Sequence, residues 1–266
     1  MSGARHGWEC ALATDLDGTF LGGTDDHRRA LYDAIEARRG RLGLIFVTGR
    51  DPEFIEELCG DGFVPWPEYV VGDVGTTIAQ VVDRRVRPIA ELETEIAGAW
   101  GDAGAVVREK LDGAAGLKLQ PTPFRHRVSY DFFPDAYDGA AQRIVEGLGH
   151  DWLISADRYF DVLPKGVSKG PSLVRLADWL NLPRDRVLAA GDTLNDLSML
   201  AIGVPAVAVG GSEPALLERL NGLDHVHFAE GVGAAGVAEA LARLRFADFP
   251  ATAAANHDQG GDAHAV

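Results

Sequence analysis

Two carboxylates, Asp15 and Asp17, stand in Cys10-Ala-Leu-Ala-Thr-Asp15-Leu-Asp17-Gly18-Thr19-Phe20, where an apolar run breaks into glycine-containing sequence. On an extended chain, side chains two apart point to the same side, so both carboxylates can converge on one small group. Two anions at that range repel each other unless a divalent cation lies between them or one holds a proton. Either arrangement suits chemistry on a phosphate better than it suits a core. A solvated turn or a helix N-terminus could carry the same pair, so alone it leaves catalysis open. An EF-hand start is excluded, because Phe20 stands where that loop needs glycine and no helix precedes it.

The elements that must position this pair alternate in type. After Asp17 the pattern predicts a helix around His27 to Arg39, then Leu42-Gly-Leu-Ile-Phe-Val-Thr48-Gly49-Arg50, whose continuous apolar stretch suits a strand buried on both faces. A helix near Pro52 to Leu58 and a strand near Glu68 to Gly72 follow. The alternation resumes with a helix over Lys169 to Leu180, a strand over Arg186 to Ala190 and another over Ala206 to Val209. Repeated strand and helix argue for an α/β, Rossmann-like parallel sheet covered on both faces.

The middle of the chain reads differently. A helix (Glu91 to Lys110), strands at Gly116 to Gln120 and His126 to Phe132, a helix (Tyr137 to Leu148) and strands at 152–156 and Arg158 to Leu163 predict a small antiparallel sheet with helices on one face. The expected division is therefore 1–83 and 165–250 for the two halves of a core, 84–164 for an inserted α+β domain, and 251–266 for a disordered tail rich in Ala, Gly and His.

Composition restricts the partners. A formal charge of −15 disfavours nucleic acid and anionic membrane surfaces, so an anionic substrate needs a local positive focus. Lys169, opening the helix that returns the chain to the core, is the candidate, with Lys165 as its rival. No apolar segment has the length of a membrane span, and the first residues lack a signal-peptide core, which together predict a cytoplasmic protein. Cys10 and Cys59 lack metal-ligand spacing and read as buried free thiols, with a disulfide left open. His225 and His227 alternate as on a strand edge and have no nearby partners for a metal site.

Asp15 and Asp17, Thr48, and Asp192 to Asp196 each follow a separate expected parallel strand, and open α/β sheets bind ligands outside the carboxyl ends of their strands. Taken together, Asp15-Leu-Asp17-Gly-Thr, Thr48-Gly-Arg50, Lys169 and Gly191-Asp192-Thr-Leu-Asn195-Asp196 resemble the four ordered motifs of the haloacid dehalogenase superfamily of phosphatases. The inserted segment resembles that superfamily's C2B cap. Val71-Gly-Asp-Val-Gly75-Thr76, Arg127-Val-Ser-Tyr and Phe160-Asp-Val-Leu-Pro-Lys-Gly are similar to its sucrose-phosphatase-like branch.

The resemblance implies Asp15 as nucleophile, forming an aspartyl-phosphate, and Asp17 as the acid and base. It implies Mg²⁺ held by the Asp15 carboxylate, the Asp17 backbone carbonyl and Asp192, with Asp196 orienting its waters. Thr48, Gly49, Asn195 and Lys169 would hold the transferring phosphoryl group. As isolated residues, Thr48 could be a helix cap, Lys169 a solvated first-turn lysine and Asn195 a turn former.

Alternation in the inserted strands puts Val128, Tyr130 and Phe132 on one apolar face and leaves Lys118, Gln120, Arg127 and Ser129 on the other. That polar face, with Arg50, Gly75 and Thr76 from the core loops, is the candidate surface for a hydroxyl-rich leaving group, against the alternative of a solvated sheet face. The implied function is a magnesium-dependent phosphatase of a small phosphorylated sugar. A sugar phosphomutase and a non-catalytic sugar-phosphate-binding protein are the alternatives.

Overall fold

The computed structural model describes residues 7–155 and 157–250; the expected disordered tail lies outside the described residues. In chain order the elements are β1 (Cys10–Thr14), α1 (Asp25–Glu36), β2 (Leu42–Val47), α2 (Pro52–Gly60), β3 (Tyr69–Gly72), β4 (Thr77–Val82), β5 (Arg85–Pro88), α3 (Ala90–Trp100) and α4 (Ala103–Lys110). There follow β6 (Leu117–Leu119), β7 (Val128–Phe132), α5 (Ala140–Gly147), β8 (Asp151–Ser155), β9 (Tyr159–Leu163) and α6 (Lys169–Leu180). The chain closes with β10 (Val187–Gly191), α7 (Leu197–Leu200), β11 (Ala206–Gly210), α8 (Pro214–Leu220), β12 (Val226–Val232) and α9 (Ala234–Arg243).

Eight strands form one sheet in the order β12-β11-β10-β1-β2-β3-β4-β5. From β12 to β3 every neighbouring pair is parallel. Alternate residues of these strands feed two cores, as period-two geometry requires when both faces are covered. Leu12, Leu44, Phe46, Val70 and Leu188 pack with Leu31 and Ile35 of α1, Ile55 of α2 and Val237 and Leu241 of α9. Ala11, Ala13, Ile45, Val47 and Ala189 turn to the opposite face, against Leu173 and Leu176 of α6, Met199 of α7 and Leu216 of α8.

The sheet departs from the sequence expectation at one end. β3, β4 and β5 are joined antiparallel, and the β4–β5 turn places Asp83 and Arg84 at φ 52° and 57°. Two consecutive positive φ values make a tight hairpin turn that glycine or asparagine ordinarily signals, so Asp-Arg leaves it unmarked in the sequence. The expected start of the insertion at 84 therefore falls inside a hairpin whose two strands belong to the large sheet.

The second sheet, β6-β7-β9-β8, is antiparallel throughout. Val128, Tyr130, Phe132, Phe160 and Val162 share a core with Trp100, Val107 and Val145 from α3, α4 and α5 and with Leu111 just after α4. The expected single helix to Lys110 is two helices, because Gly101 ends α3 in a backbone conformation with φ 54°. α3 is also shared: Leu92 and Ile96 in its first turns pack into the large-sheet core, and only Trp100 reaches the small one. Among the described residues no helix is long and apolar enough to cross a membrane.

Candidate active site

β1 lies between β10 and β2, at the point where the strand order reverses. Connections leave the sheet there toward opposite faces and open a crevice at the strands' carboxyl ends. Asp15 follows β1, Thr48 follows β2 and Asp192 follows β10, and parallel registers such as Thr14↔Phe46 and Thr14↔Ala190 bring the three ends level. Asp15 N–H donates to the Ala190 carbonyl (2.9 Å) and Thr48 N–H to the Val71 carbonyl (2.9 Å), extending the ladder into the site.

Lys169 is 0% exposed at the start of α6, and its ammonium donates to Asp15 Oδ1 (2.7 Å), Asp196 Oδ1 (2.7 Å) and Asn195 Oδ1 (2.9 Å). It is neither a solvated lysine nor exchangeable with Lys165, whose exposed side chain pairs with Asp151 at 2.5 Å. Burial alone would lower the Lys169 ammonium's pKa, yet the Asp15 and Asp196 carboxylates hold it above the ordinary lysine value. Burial likewise raises Asp15, with Lys169 acting against it and Asp196 and Asp192 adding to it. Asp192 is pushed up to about 6, chiefly by burial, while its hydrogen bond from Thr19 Oγ1 (2.6 Å) acts downward.

Carboxylate oxygens of Asp15, Asp192 and Asp196 lie within 4.8 Å of one another. Three carboxylates against one ammonium leave a deficit of positive charge, and an all-oxygen donor set suits a hard divalent cation. The contacts also divide the three. Asp196 is fully buried with Oδ1 taken by Lys169 and Oδ2 by the backbone N–H groups of Asp192 and Thr193 (3.0 Å each). Asp15 Oδ2 and Asp192 Oδ2 have no hydrogen-bond partner among the described residues, so they are the oxygens available to a cation. The fit extends to the backbone: Gly18 has φ +84°, and a Cβ there would lie 2.2 Å from Asp192 Oδ2, so only glycine admits that carboxylate.

Donors line the other side. The carbonyls of Thr48, Gly49 and Arg50 are all accepting, from Val74 N–H (3.1 Å), Arg127 Nη2 (3.2 Å) and Asp73 N–H (2.9 Å) respectively. Gly49 N–H has no partner among the described residues, which leaves it available to an anion. Thr48 does not cap α2; Asp51 does, accepting from Phe54 N–H at 2.8 Å. Asn195 Oδ1 receives both Lys169 and Thr193 Oγ1 (3.0 Å), which commits its carbonyl inward and its amide nitrogen outward.

Asp17 is exposed at the mouth, gripped by the Arg50 fork at 2.9 and 3.0 Å, and Arg50 itself stacks on the Phe54 ring at 4.5 Å. Arg50, expected against a leaving group, thus holds the second carboxylate of the pair.

The other expected contact residues diverge. Gly75, at φ +100°, packs so closely that a Cβ would lie 2.3 Å from the Ser168 carbonyl carbon, and its own carbonyl accepts from Ser172 (2.7 Å). Thr76 is buried and bonds back to the Asp73 carbonyl. Gly75 thus packs against the backbone that leads into Lys169. Lys118 is exposed on edge strand β6, and Gln120 donates to Asp131 (3.1 Å). Ser129 donates to the Asp161 carboxylate across the β7–β9 register and is buried. Arg127 is 6% exposed and links the two sheets, to Asp161 (3.0 Å), Asp73 (3.3 Å) and the Gly49 carbonyl, with its guanidinium 3.6 Å from the Phe124 ring centroid.

Thr19, Asp73 and Asp161 are the residues that sequence reasoning missed. Each lies inside a quoted motif, but only the partner across the fold shows what it does. His225 and His227 bond to the Leu200 carbonyl (3.0 Å) and Glu239 (2.7 Å). Cys10 and Cys59 are free and buried.

The sequence pattern of sucrose-6F-phosphate phosphohydrolase matches residues 8–245. A glucosylglycerol-phosphate synthase from Pseudomonas anguilliseptica is 43% identical over 237 residues, covering 88% of this chain and 31% of the synthase. The chain thus spans about a third of that relative's length. The mannosylfructose-phosphate phosphatase of Agrobacterium fabrum is 29% identical over 245 residues, 86% of this chain and 94% of that protein. The sucrose-phosphatase of Synechocystis, solved with sucrose and phosphate, superposes with a TM-score of 0.79 at 23% identity, covering 91% of this chain and 99% of that one. The architecture is that of the haloacid dehalogenase-like hydrolases. Within it, the chain belongs to the sucrose-6F-phosphate phosphohydrolase family of phosphoric monoester hydrolases.

Proposed function

We propose that the protein is a magnesium-dependent phosphatase that removes phosphate from a phosphorylated glycoside through an aspartyl-phosphate on Asp15. The observation that carries this reading is the cluster of Asp15, Lys169, Asp192 and Asp196, whose oxygens and ammonium meet at the carboxyl edge of the parallel strands. An Asp15 carboxylate oxygen attacks phosphorus in line, and the bond to the sugar oxygen breaks. Asp17 protonates that departing oxygen, then takes a proton from the water that attacks the aspartyl-phosphate, releasing phosphate and the Asp15 carboxylate. The Asp15 and Asp192 carboxylates and the Asp17 backbone carbonyl would hold Mg²⁺, with Asp196 fixing Lys169 and the Asp192–Thr193 backbone beside it. When bound, the ion supplies positive charge that favours ionised Asp15 and neutralises phosphoryl oxygens. Thr48 Oγ1–H, Gly49 N–H and the Asn195 amide donate to the transferring group, and Lys169, whose three N–H groups go to Asp15, Asn195 and Asp196, adds its positive charge beside it.

The relatives are named for sucrose phosphate, mannosylfructose phosphate and glucosylglycerol phosphate, each a sugar glycosidically joined to a small hydroxyl-rich partner. That shared chemistry supports a phosphorylated glycoside as the substrate class. Two buried, unpaired thiols suit the reducing cytoplasm.

Phosphate release from those three compounds and from glucose 6-phosphate, with and without Mg²⁺, tests the function. The expected result is magnesium-dependent release, fastest from one of the glycosides and requiring no bisphosphate activator. Conversion to an isomeric sugar phosphate without phosphate release would overturn it in favour of a mutase. Chelation is expected to silence the enzyme and Mg²⁺ to restore it, whereas Ca²⁺, larger and less octahedral, supports little turnover; full activity in chelator would remove the metal from the mechanism.

Asp17→Asn separates its role from a structural one. If Asp17 protonates the leaving oxygen, the glycoside phosphate should lose about 10²–10⁴-fold in kcat/KM, while an aryl phosphate, whose phenolate needs little protonation, loses at least about tenfold less. Equal losses on both substrates would make Asp17 merely the anchor for Arg50.

A further inference from the structure

We propose that Arg127, on the inserted domain, is a positioning residue that aims the Thr48 hydroxyl at the phosphoryl group through the Gly49–Arg50 peptide. Through it the core's phosphate grip depends on docking of the inserted domain. This rests on Thr48 binding phosphate, as proposed above.

The chain of contacts is short. Arg127 Nη2 donates to the Gly49 carbonyl (3.2 Å), and the N–H of the same peptide unit, that of Arg50, donates to Thr48 Oγ1 (3.2 Å). The peptide is planar, so holding its carbonyl holds its N–H on the opposite side. A hydroxyl has one proton; when its oxygen accepts from Arg50, that proton is left for an acceptor on the open side. Bonds in series polarise one another, and the guanidinium at the head of this one is cationic.

Arg127 is held from both domains. Asp161 on β9 takes Nη1, Asp73 after β3 takes Nη2, and the Phe124 ring covers the guanidinium. Asp73 and Val74 adopt φ values of 52° and 60° in the turn that carries them. That turn also takes the Thr48 and Arg50 carbonyls, so Arg127 completes a run of three fixed peptides. An arginine serving only the sugar would have no reason to spend a donor on the Gly49 carbonyl.

The test is a double-mutant cycle in the full chain with Arg127→Lys, Thr48→Val and both. The readouts are inhibition by inorganic phosphate and kcat/KM on an aryl phosphate and on the best glycoside phosphate. Lysine keeps a cation between Asp73 and Asp161 but loses the fork. Arg127→Lys is expected to weaken phosphate inhibition about tenfold and to lower kcat/KM by a similar factor on both substrates. In the Thr48→Val background the same change should cost less than about twofold, because the hydroxyl it aims is gone. Multiplicative losses sink the relay while leaving Thr48 as a phosphate ligand. Unchanged phosphate inhibition with a loss on the glycoside alone also overturns it and makes Arg127 a sugar contact. Wild-type phosphate inhibition in Thr48→Val removes the phosphate-binding reading itself, and the relay with it. Should Arg127→Lys fail to fold, Asp161→Asn, which slackens the same guanidinium from the inserted domain, carries the cycle with the same non-additivity expected.

Discussion

Asp15→Asn is expected to lower kcat by at least about a thousandfold on every substrate while the protein stays folded, since an amide cannot form the acyl-phosphate. The structure adds a sign to the stability effect. Asp15 is 5% exposed and shares Lys169 with Asp196, so among Asp15, Asp192, Asp196 and Lys169 the metal-free wild type carries three potential negative charges against one positive. Removing one of them relieves repulsion and leaves the Lys169–Asp196 pair intact. Thermal unfolding in chelator should therefore give a Tm for Asp15→Asn at or above that of the wild type. Turnover near the wild-type rate would sink the nucleophile. A Tm several degrees lower would mean that the Asp15–Lys169 contact outweighs the repulsion around it.

Lys169→Met is expected to be the most damaging change to stability and to lower activity as well. The methionine fills much of the lysine's volume but leaves Asp15 and Asp196 buried without their cation, and breaking a buried ion pair from one side typically costs about 3–5 kcal/mol. For a chain of this size that corresponds to a fall in Tm on the order of 10 °C. Kinetically the loss should reach at least about a hundredfold, because the cation beside the transferring group disappears and the nucleophile is no longer held. A divalent cation at the neighbouring carboxylates supplies part of the missing charge, so Mg²⁺ should raise the Tm of Lys169→Met more than that of the wild type. Calorimetry with and without Mg²⁺ checks this. An unchanged Tm in chelator would mean that Asp15 and Asp196 take up protons instead of relying on Lys169.

The alternation of strand and helix, the apolar runs of β1 and β2, the start of α6 at Lys169 and the separate inserted sheet are all legible in the sequence. So is the set of residues at the sheet's carboxyl end. Local rules suffice there: a buried parallel strand is a continuous apolar run, and every parallel strand delivers its following loop to the same edge. The β4–β5 hairpin is not legible, because Asp83 and Arg84 adopt positive φ without the glycine that would mark it. Nor is the break between α3 and α4, since a single Gly-Asp within a helical pattern is compatible with continuation.

Within the site, the sequence by itself determines which carboxylates, amides and cations are present and that they meet. It does not determine how they share one another. Alternation correctly separates Arg127 and Ser129 from the apolar face of β7, yet that face does not simply stand open to a ligand. Ser129 is spent on Asp161, and Arg127 crosses to Asp73 and the Gly49 carbonyl. Arg50 turns to Asp17, and Asp196 gives both its oxygens to Lys169 and the Asp192–Thr193 backbone. These pairings join residues 27 to 78 positions apart or depend on a single backbone turn, and a side chain's partner there is chosen by distances between elements that no local periodicity encodes. Strand and helix patterns follow from the chemistry of neighbouring residues, whereas the division of hydrogen bonds and charge in the site follows from how the two sheets and the strand ends pack.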